Sequence, residues 1–121
     1  RNVAQADSVQ VIKPETAETV TNMLVKVYDD ALLEGELKQE HYSIAAKTGT
    51  AQIAIPGGGG YYADRYLHSF FGYFPAHDPK FIVFLFAIEP HGEMYASRTL
   101  ARPFNDIAKF LLNYYDVPPD R

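Results

Sequence analysis

Lys47, Thr48, Thr50 and Gln52 carry the chemistry of this chain, within the run Ile44-Ala45-Ala46-Lys47-Thr48-Gly49-Thr50-Ala51-Gln52-Ile53. The run has the β-branched residues and alternation of a strand, but its middle is small and polar. Side chains alternate between the faces of a strand. Thr48, Thr50 and Gln52 therefore share one face, and Lys47, Gly49 and Ala51 the other. A glycine weakens a strand unless something must come close to the backbone. Gly49 and Ala51 would admit a ligand or another element, and Lys47 would place one cation there. Hydroxyls, an ammonium and free strand N–H groups suit an extended peptide ending in a carboxylate, which can add to a sheet edge as a further strand.

The elements that position this run follow from the pattern around it. Residues 1–12 read as an extended lead-in, apolar at Val9, Val11 and Ile12. Pro14 suits the first turn of a helix, where its missing N–H costs nothing, and Glu15 and Glu18 lie near the positive end of the helix dipole. Ala17, Val20, Leu24, Val27 or Tyr28, and Ala31 recur at helical spacing. A helix is predicted from about Pro14 to Leu33, with Gly35 as its stop. Asp29, Asp30, Glu34 and Glu36 at its end are read as a solvated terminus rather than an acid–base pair.

After the small-residue strand, Pro56 and the tract Gly57 to Gly60 break regular structure. The tract fits neither phosphate-binding glycine pattern, so a mobile loop between two strands is expected. Tyr61, Tyr62 and Tyr66 either pack that loop or cover a groove. Leu67 to Phe74 is the next strand. Ala76-His77-Asp78-Pro79-Lys80 is turn chemistry. Phe81 to Ile88 is an unbroken apolar run, expected as a strand buried on both faces. A last helix is predicted from about Ser97 to Tyr115, with Leu100, Phe104, Ile107, Ala108, Leu111 and Tyr115 as its stripe. Pro103 then belongs in its first turn or at a kink. The resulting fold class is α+β: a three-strand antiparallel meander flanked by an N-terminal and a C-terminal helix.

Composition bounds the partners. The chain has 121 residues, the expectation for one domain, with 47% hydrophobic and 21% charged residues and a net charge of −4. That balance excludes a disordered chain and offers no basic patch for nucleic acid. Without cysteine there is no disulfide or thiolate metal site. His41, His68, His77 and His91 lack metal-ligand spacing and are read as structural or surface residues. No apolar run reaches the length of a membrane span. No cofactor and no metal are expected.

Lys47-Thr48-Gly49-Thr50-Ala51-Gln52 resembles the third signature of the penicillin-binding transpeptidases. The resemblance extends over nearly the whole chain. It takes in the helix from Pro14, Ser69-Phe70-Phe71-Gly72-Tyr73-Phe74-Pro75, Asp78-Pro79-Lys80-Phe81, and Phe110-Leu111-Leu112-Asn113-Tyr114 followed by Val117-Pro118-Pro119. It is similar to the C-terminal part of a class B penicillin-binding protein, within a serine transpeptidase/β-lactamase-like domain. Many such proteins have glycine before the lysine, where this chain has Ala46.

The resemblance implies D,D-transpeptidation in peptidoglycan cross-linking. A serine attacks the D-Ala-D-Ala stem peptide, D-Ala leaves, and an amine takes the acyl group, so that one hard step becomes two easier ones. β-Lactams acylate the same serine. On this sequence, Lys47 would hold a second serine hydroxyl and favour the negative end of the substrate. The Thr48 and Thr50 hydroxyls would bind the terminal carboxylate, and the Thr50 N–H would form half of the oxyanion hole, a donor typically worth roughly 3 kcal/mol. Gly49 would keep the strand near the helix of the nucleophile, and Gln52 would line the groove.

The family's other two signatures, Ser-x-x-Lys and Ser-x-Asn, are absent. Ser8, Ser43, Ser69 and Ser97 have no lysine three residues on and no asparagine two residues on. The expectation is therefore a segment whose nucleophile-bearing part lies upstream, inactive by itself. Phe81 to Ile88, as an apolar edge strand, calls for a covering strand from outside, which that part of the same domain would supply. Cell-wall synthesis proteins are further possible partners. The expected location is the extracytoplasmic face of the bacterial cytoplasmic membrane, through an N-terminal anchor outside this chain. The alternatives are a D,D-carboxypeptidase, a β-lactam-sensing or β-lactam-hydrolysing serine enzyme, and a non-catalytic peptide-binding module.

Overall fold

In a computed structural model, which describes residues 9–121, two helices flank a three-strand antiparallel sheet, an α+β fold. Residues 1–8 of the expected lead-in lie outside the described residues. Helix α1 (Pro14–Lys26) begins with its proline in the first turn. It is shorter than the predicted helix, because the chain continues as a wider π-type turn over Val27–Ala31 and a tight turn over Leu32–Gly35. Leu33 (φ 47°), Glu34 (φ 58°) and Gly35 (φ 84°) take the left-handed conformation in succession, which no right-handed helix can continue.

Strands β1 (Ala45–Ala54), β2 (Tyr61–Phe74) and β3 (Phe81–Ile88) pair in sequential order β1-β2-β3. Strand β2 starts six residues before the predicted Leu67, so Tyr61, Tyr62 and Tyr66 belong to the strand itself. The glycine tract is the tip of the β1–β2 hairpin, where Ile55 N–H donates to Gly60 O at 2.9 Å. Gly57, Gly58 and Gly60 all have positive φ, which explains why this tip is built of glycine.

The register assigns the faces. Thr48 lies opposite Phe70, Thr50 opposite His68 and Gln52 opposite Tyr66, while Lys47 lies opposite Phe71 and Gly49 opposite Ser69. The first set faces α2 (Ala96–Tyr114), and there the core is built. Phe70, Phe74 and Phe104 are fully buried. Phe104 packs against Phe70 with ring centroids 4.5 Å apart and meets Phe74 edge-on at 5.9 Å. Its ring takes the place of a side chain at Gly72, where a Cβ would collide with Phe104 and with the Ala45 carbonyl.

The opposite face of the sheet is open. Phe81 to Ile88 was expected to be buried on both faces, and it is not. Burial alternates along β3, with Ile82, Phe84, Phe86 and Ile88 exposed. Leu67 and Phe71 continue this apolar surface onto β2. The run is apolar on both sides, and among the described residues only one side of it is covered. α1 is similarly thinly covered and has no buried residue.

Two further expectations are corrected. Pro103 lies well inside α2, beyond its first turn, on the solvent side. The helix gives up one backbone hydrogen bond there while Phe104 and Ala108 hold it to the sheet. Asp29 is not a solvated helix end: it is 7% exposed and takes a two-pronged ion pair from Arg121, with Nη2–Oδ1 at 3.0 Å. This pairing pushes the Arg121 guanidinium further up from its ordinary value, chiefly through the hydrogen bond to Asp29.

Candidate functional site

The start of β1 is fixed by the C-terminal tail. Ser43 N–H donates to Asp120 Oδ1 at 2.7 Å, Ser43 Oγ bonds the other carboxylate oxygen, and Tyr42 Oη donates to the Val117 carbonyl at 2.7 Å. From the far side, Ala76 N–H donates to Ser43 O at 2.9 Å. Ile44, Ala45 and Ala46 are then fully buried. The small side chains that look unremarkable in the sequence seat the strand against the core. Immediately beyond them, at Lys47, the strand emerges to the surface.

Lys47, Thr50, Ala51 and Gln52 are exposed, and Thr48 and Gly49 are half-buried. β1 is an edge of the sheet, since its second side pairs with no strand among the described residues. Lys47 makes no ion pair among those residues. Its ammonium bends back to the Thr48 carbonyl at 2.9 Å and lies 3.5 Å from Thr48 Oγ1. The cation therefore stands on the rim of the open apolar face, next to the first threonine hydroxyl. Thr50 is on the other face, where its Oγ1 accepts a hydrogen bond from Ala96 N–H at 3.0 Å. Gln52 follows Thr50 on that same face.

Gly49 has a role inside the sheet. A Cβ there would collide with Ser69 Oγ of the neighbouring strand.

His68 was read as structural, and its contacts show what it holds. It is fully buried, with Nδ1 2.8 Å from Thr99 Oγ1 and Nε2 2.9 Å from the Met94 carbonyl. A carbonyl only accepts, so Nε2 carries a hydrogen toward Met94, while Thr99 Oγ1 also lies 3.3 Å from the Ala96 carbonyl. Sequence reasoning missed that His68, Ser69 and Ala96 all touch this strand. The β2 partners depend on hairpin register across a glycine tract whose turn is unreadable in advance. The Ala96 contact is a main-chain group and has no residue signature. His41, His77 and His91 are exposed. Among the described residues no group of three or more His, Asp or Glu side chains is placed to hold a metal ion.

Two concavities of the described residues lie away from Lys47 and Thr50. One of about 420 Å3 is lined by Ala17, Glu18, Thr21, Tyr73, Ala76, His77 and Pro79, and another of about 270 Å3 lies between Ala63–Tyr66 and Pro90–Met94. The Lys47–Gln52 strand is an open surface. No facing wall is present among the described residues.

Residues 3–109 match the family model described as the penicillin-binding protein transpeptidase domain. The chain is 36% identical over 120 residues to the penicillin-binding protein PbpB of Mycolicibacterium smegmatis, covering 93% of this chain and 18% of that protein. It is 29% identical to a probable peptidoglycan D,D-transpeptidase PenA of Neisseria flavescens, covering 93% of this chain and 28% of that one. Among solved structures, it superposes on penicillin-binding protein 3 of Mycobacterium tuberculosis in complex with ampicillin. The TM-score is 0.80 at 28% identity, over 98% of this chain and 28% of the other. The transpeptidase domain of penicillin-binding protein 3 from Burkholderia pseudomallei gives 0.78 at 28% identity, over the whole of this chain and 37% of that domain. The chain thus spans well under half the length of the proteins it matches, and it belongs to the penicillin-binding protein transpeptidase family.

Proposed function

We propose that this chain is the part of a peptidoglycan D,D-transpeptidase that receives the C-terminal end of the stem peptide. The observation that carries the reading is the exposed edge of β1. There, buried Ile44–Ala46 give way to an ammonium, two hydroxyls and a strand edge without a partner strand, in a chain of this family. An extended peptide can pair with such an edge. Thr48 and Thr50 hydroxyls and the Lys47 ammonium supply donors for its terminal carboxylate, and charge-assisted hydrogen bonds of this kind are about twice as strong as neutral ones. The Thr50 N–H is one donor to the oxyanion that forms when the scissile carbonyl is attacked. Gln52 extends the same wall.

The attacking hydroxyl belongs to a Ser-x-x-Lys that this chain does not contain, from the rest of the same transpeptidase domain. Lys47 holds the hydroxyl of a second serine in place and keeps the local potential positive for an anionic substrate. β-Lactams, which carry a carboxylate and a strained amide, take the same place. The open face next to Lys47, with Phe71, Phe84 and Phe86, meets the remainder of the domain. The enzyme acts on the outer face of the cytoplasmic membrane, where its polymeric substrate is.

The test is a turnover assay on the full-length polypeptide with a stem peptide ending in D-Ala-D-Ala and an amine acceptor. Release of D-Ala with formation of the new amide is the expected result. Release with hydrolysis alone would make it a carboxypeptidase, and no release at all would leave a peptide-binding module.

A further inference from the structure

Thr50 is held by α2 in a way that decides which direction its hydroxyl can act. Its Oγ1 accepts the Ala96 N–H at 3.0 Å. Ala96 is the first residue of α2, so its N–H has no acceptor within the helix, and Tyr95 before it gives no side-chain cap. Thr50, from another element, takes over that role. A hydroxyl has one proton and two acceptor positions, whereas a main-chain N–H can only donate. One acceptor position of Thr50 is therefore filled from the α2 side. Its proton has no acceptor among the described residues, and the side chain is exposed.

The donor itself is anchored. His68, directly opposite Thr50 in the β1–β2 pair, is fully buried and holds the Met94 carbonyl and the Thr99 hydroxyl on either side of Ala96. Phe104, about two turns further along α2, packs against Phe70 of the sheet. The first turn of α2 is thereby fixed against the sheet next to Thr50, with Ala96 fully buried.

We infer that the Ala96 N–H, held in place by His68, is a positioning group for Thr50. It occupies the hydroxyl from behind and commits its proton outward, toward the carboxylate of the bound ligand. Donation into the hydroxyl also makes it a better donor, since chained hydrogen bonds polarise one another. This rests on the reading of Thr50 as a carboxylate ligand, and it adds that α2, not β1 alone, sets the preference for a carboxylate.

The experiment compares acylation of the full-length polypeptide by a β-lactam carrying its free carboxylate and by the methyl ester of the same compound. Ala96→Pro removes the N–H at a helix position that accepts proline, and Tyr95 (φ −106°, ψ 134°) already has the conformation favoured before proline. The expected result is a fivefold to tenfold fall in the ratio of carboxylate to ester rates, a readout that general loosening of the fold would not move. A folded Ala96→Pro variant with the wild-type ratio overturns the inference.

Thr50→Val separates the two levels. If its ratio stays at the wild-type value, the carboxylate reading fails and this inference with it. If Thr50→Val loses the preference while Ala96→Pro keeps it, this inference alone fails. Should Ala96→Pro not fold, the amide resonance of Ala96 in the wild-type protein decides. A downfield shift with the carboxylate compound and none with the ester supports the inference; equal shifts overturn it.

Discussion

Ser69 Oγ stands over Gly49 across the β1–β2 pair, in the space a side chain at residue 49 would need. A side chain at residue 49 would thus force the Ser69 hydroxyl to turn away, before any ligand is considered. Gly49→Ala should cost about 1–3 kcal/mol, the usual penalty of overpacking a filled site. Removing the obstruction with Ser69→Ala should return most of it, so the double variant should be more stable than Gly49→Ala alone. Chemical denaturation of the four members of this cycle checks the coupling. Strict additivity would show that Gly49 answers to something other than Ser69.

The tail that closes over the start of β1 ends in an ion pair between Arg121 and Asp29. Asp29 is buried at 7% exposure and Arg121 retains 27%, so the pair is screened from water on one side only. Breaking a fully buried pair costs about 3–5 kcal/mol. Here Arg121→Ala should cost roughly 2–3 kcal/mol, less than that range because Arg121 is partly wet. The variant should also expose the Ser43 amide to faster exchange, since Asp120 accepts its N–H. A melting temperature and exchange pattern equal to wild type would show that the tail is held without the pair.

Much of this architecture was legible in the residues. The order of elements, the meander, the β3 boundaries and the proline start of α1 all follow from periodicity and breakers, which are local properties. The faces of β1 were legible as well, because strand alternation needs no tertiary knowledge. What escaped depends on distant groups. Asp29 looked like one acid among four at a helix end, and only the position of Arg121, 92 residues away, makes it a buried ion-pair partner. Pro103 was expected in the first turn or at a kink, but it lies inside α2, where Phe104, packed over Gly72, holds the helix to the sheet. The exposed side of β3 was unreadable for a different reason. An apolar run records that both faces are suited to burial, not which layers a given stretch of chain supplies.

The open face yields its own prediction. Ile82, Phe84, Phe86 and Ile88 are 59–71% exposed, and they adjoin Leu67 and Phe71. Apolar patches of this kind mark surfaces that are covered by something else or that associate. The 121-residue chain alone should bind a hydrophobic dye and self-associate with concentration in sedimentation velocity. Phe84→Ser with Phe86→Thr should reduce both effects without loss of the helix signal. A wild-type chain that remains a dye-negative monomer at high concentration would mean that the face needs no cover.

The central claim is that the exposed Lys47–Thr50 edge receives the anionic end of a peptide while a serine from elsewhere in the polypeptide attacks. The most direct measurement is covalent labelling of the full-length polypeptide by a fluorescent penicillin, wild type against Lys47→Ala. The account predicts rapid labelling of the wild type and a loss of about 100-fold or more in the variant, the scale of removing one electrostatic group from a reacting centre. Labelling of Lys47→Ala at the wild-type rate would contradict it.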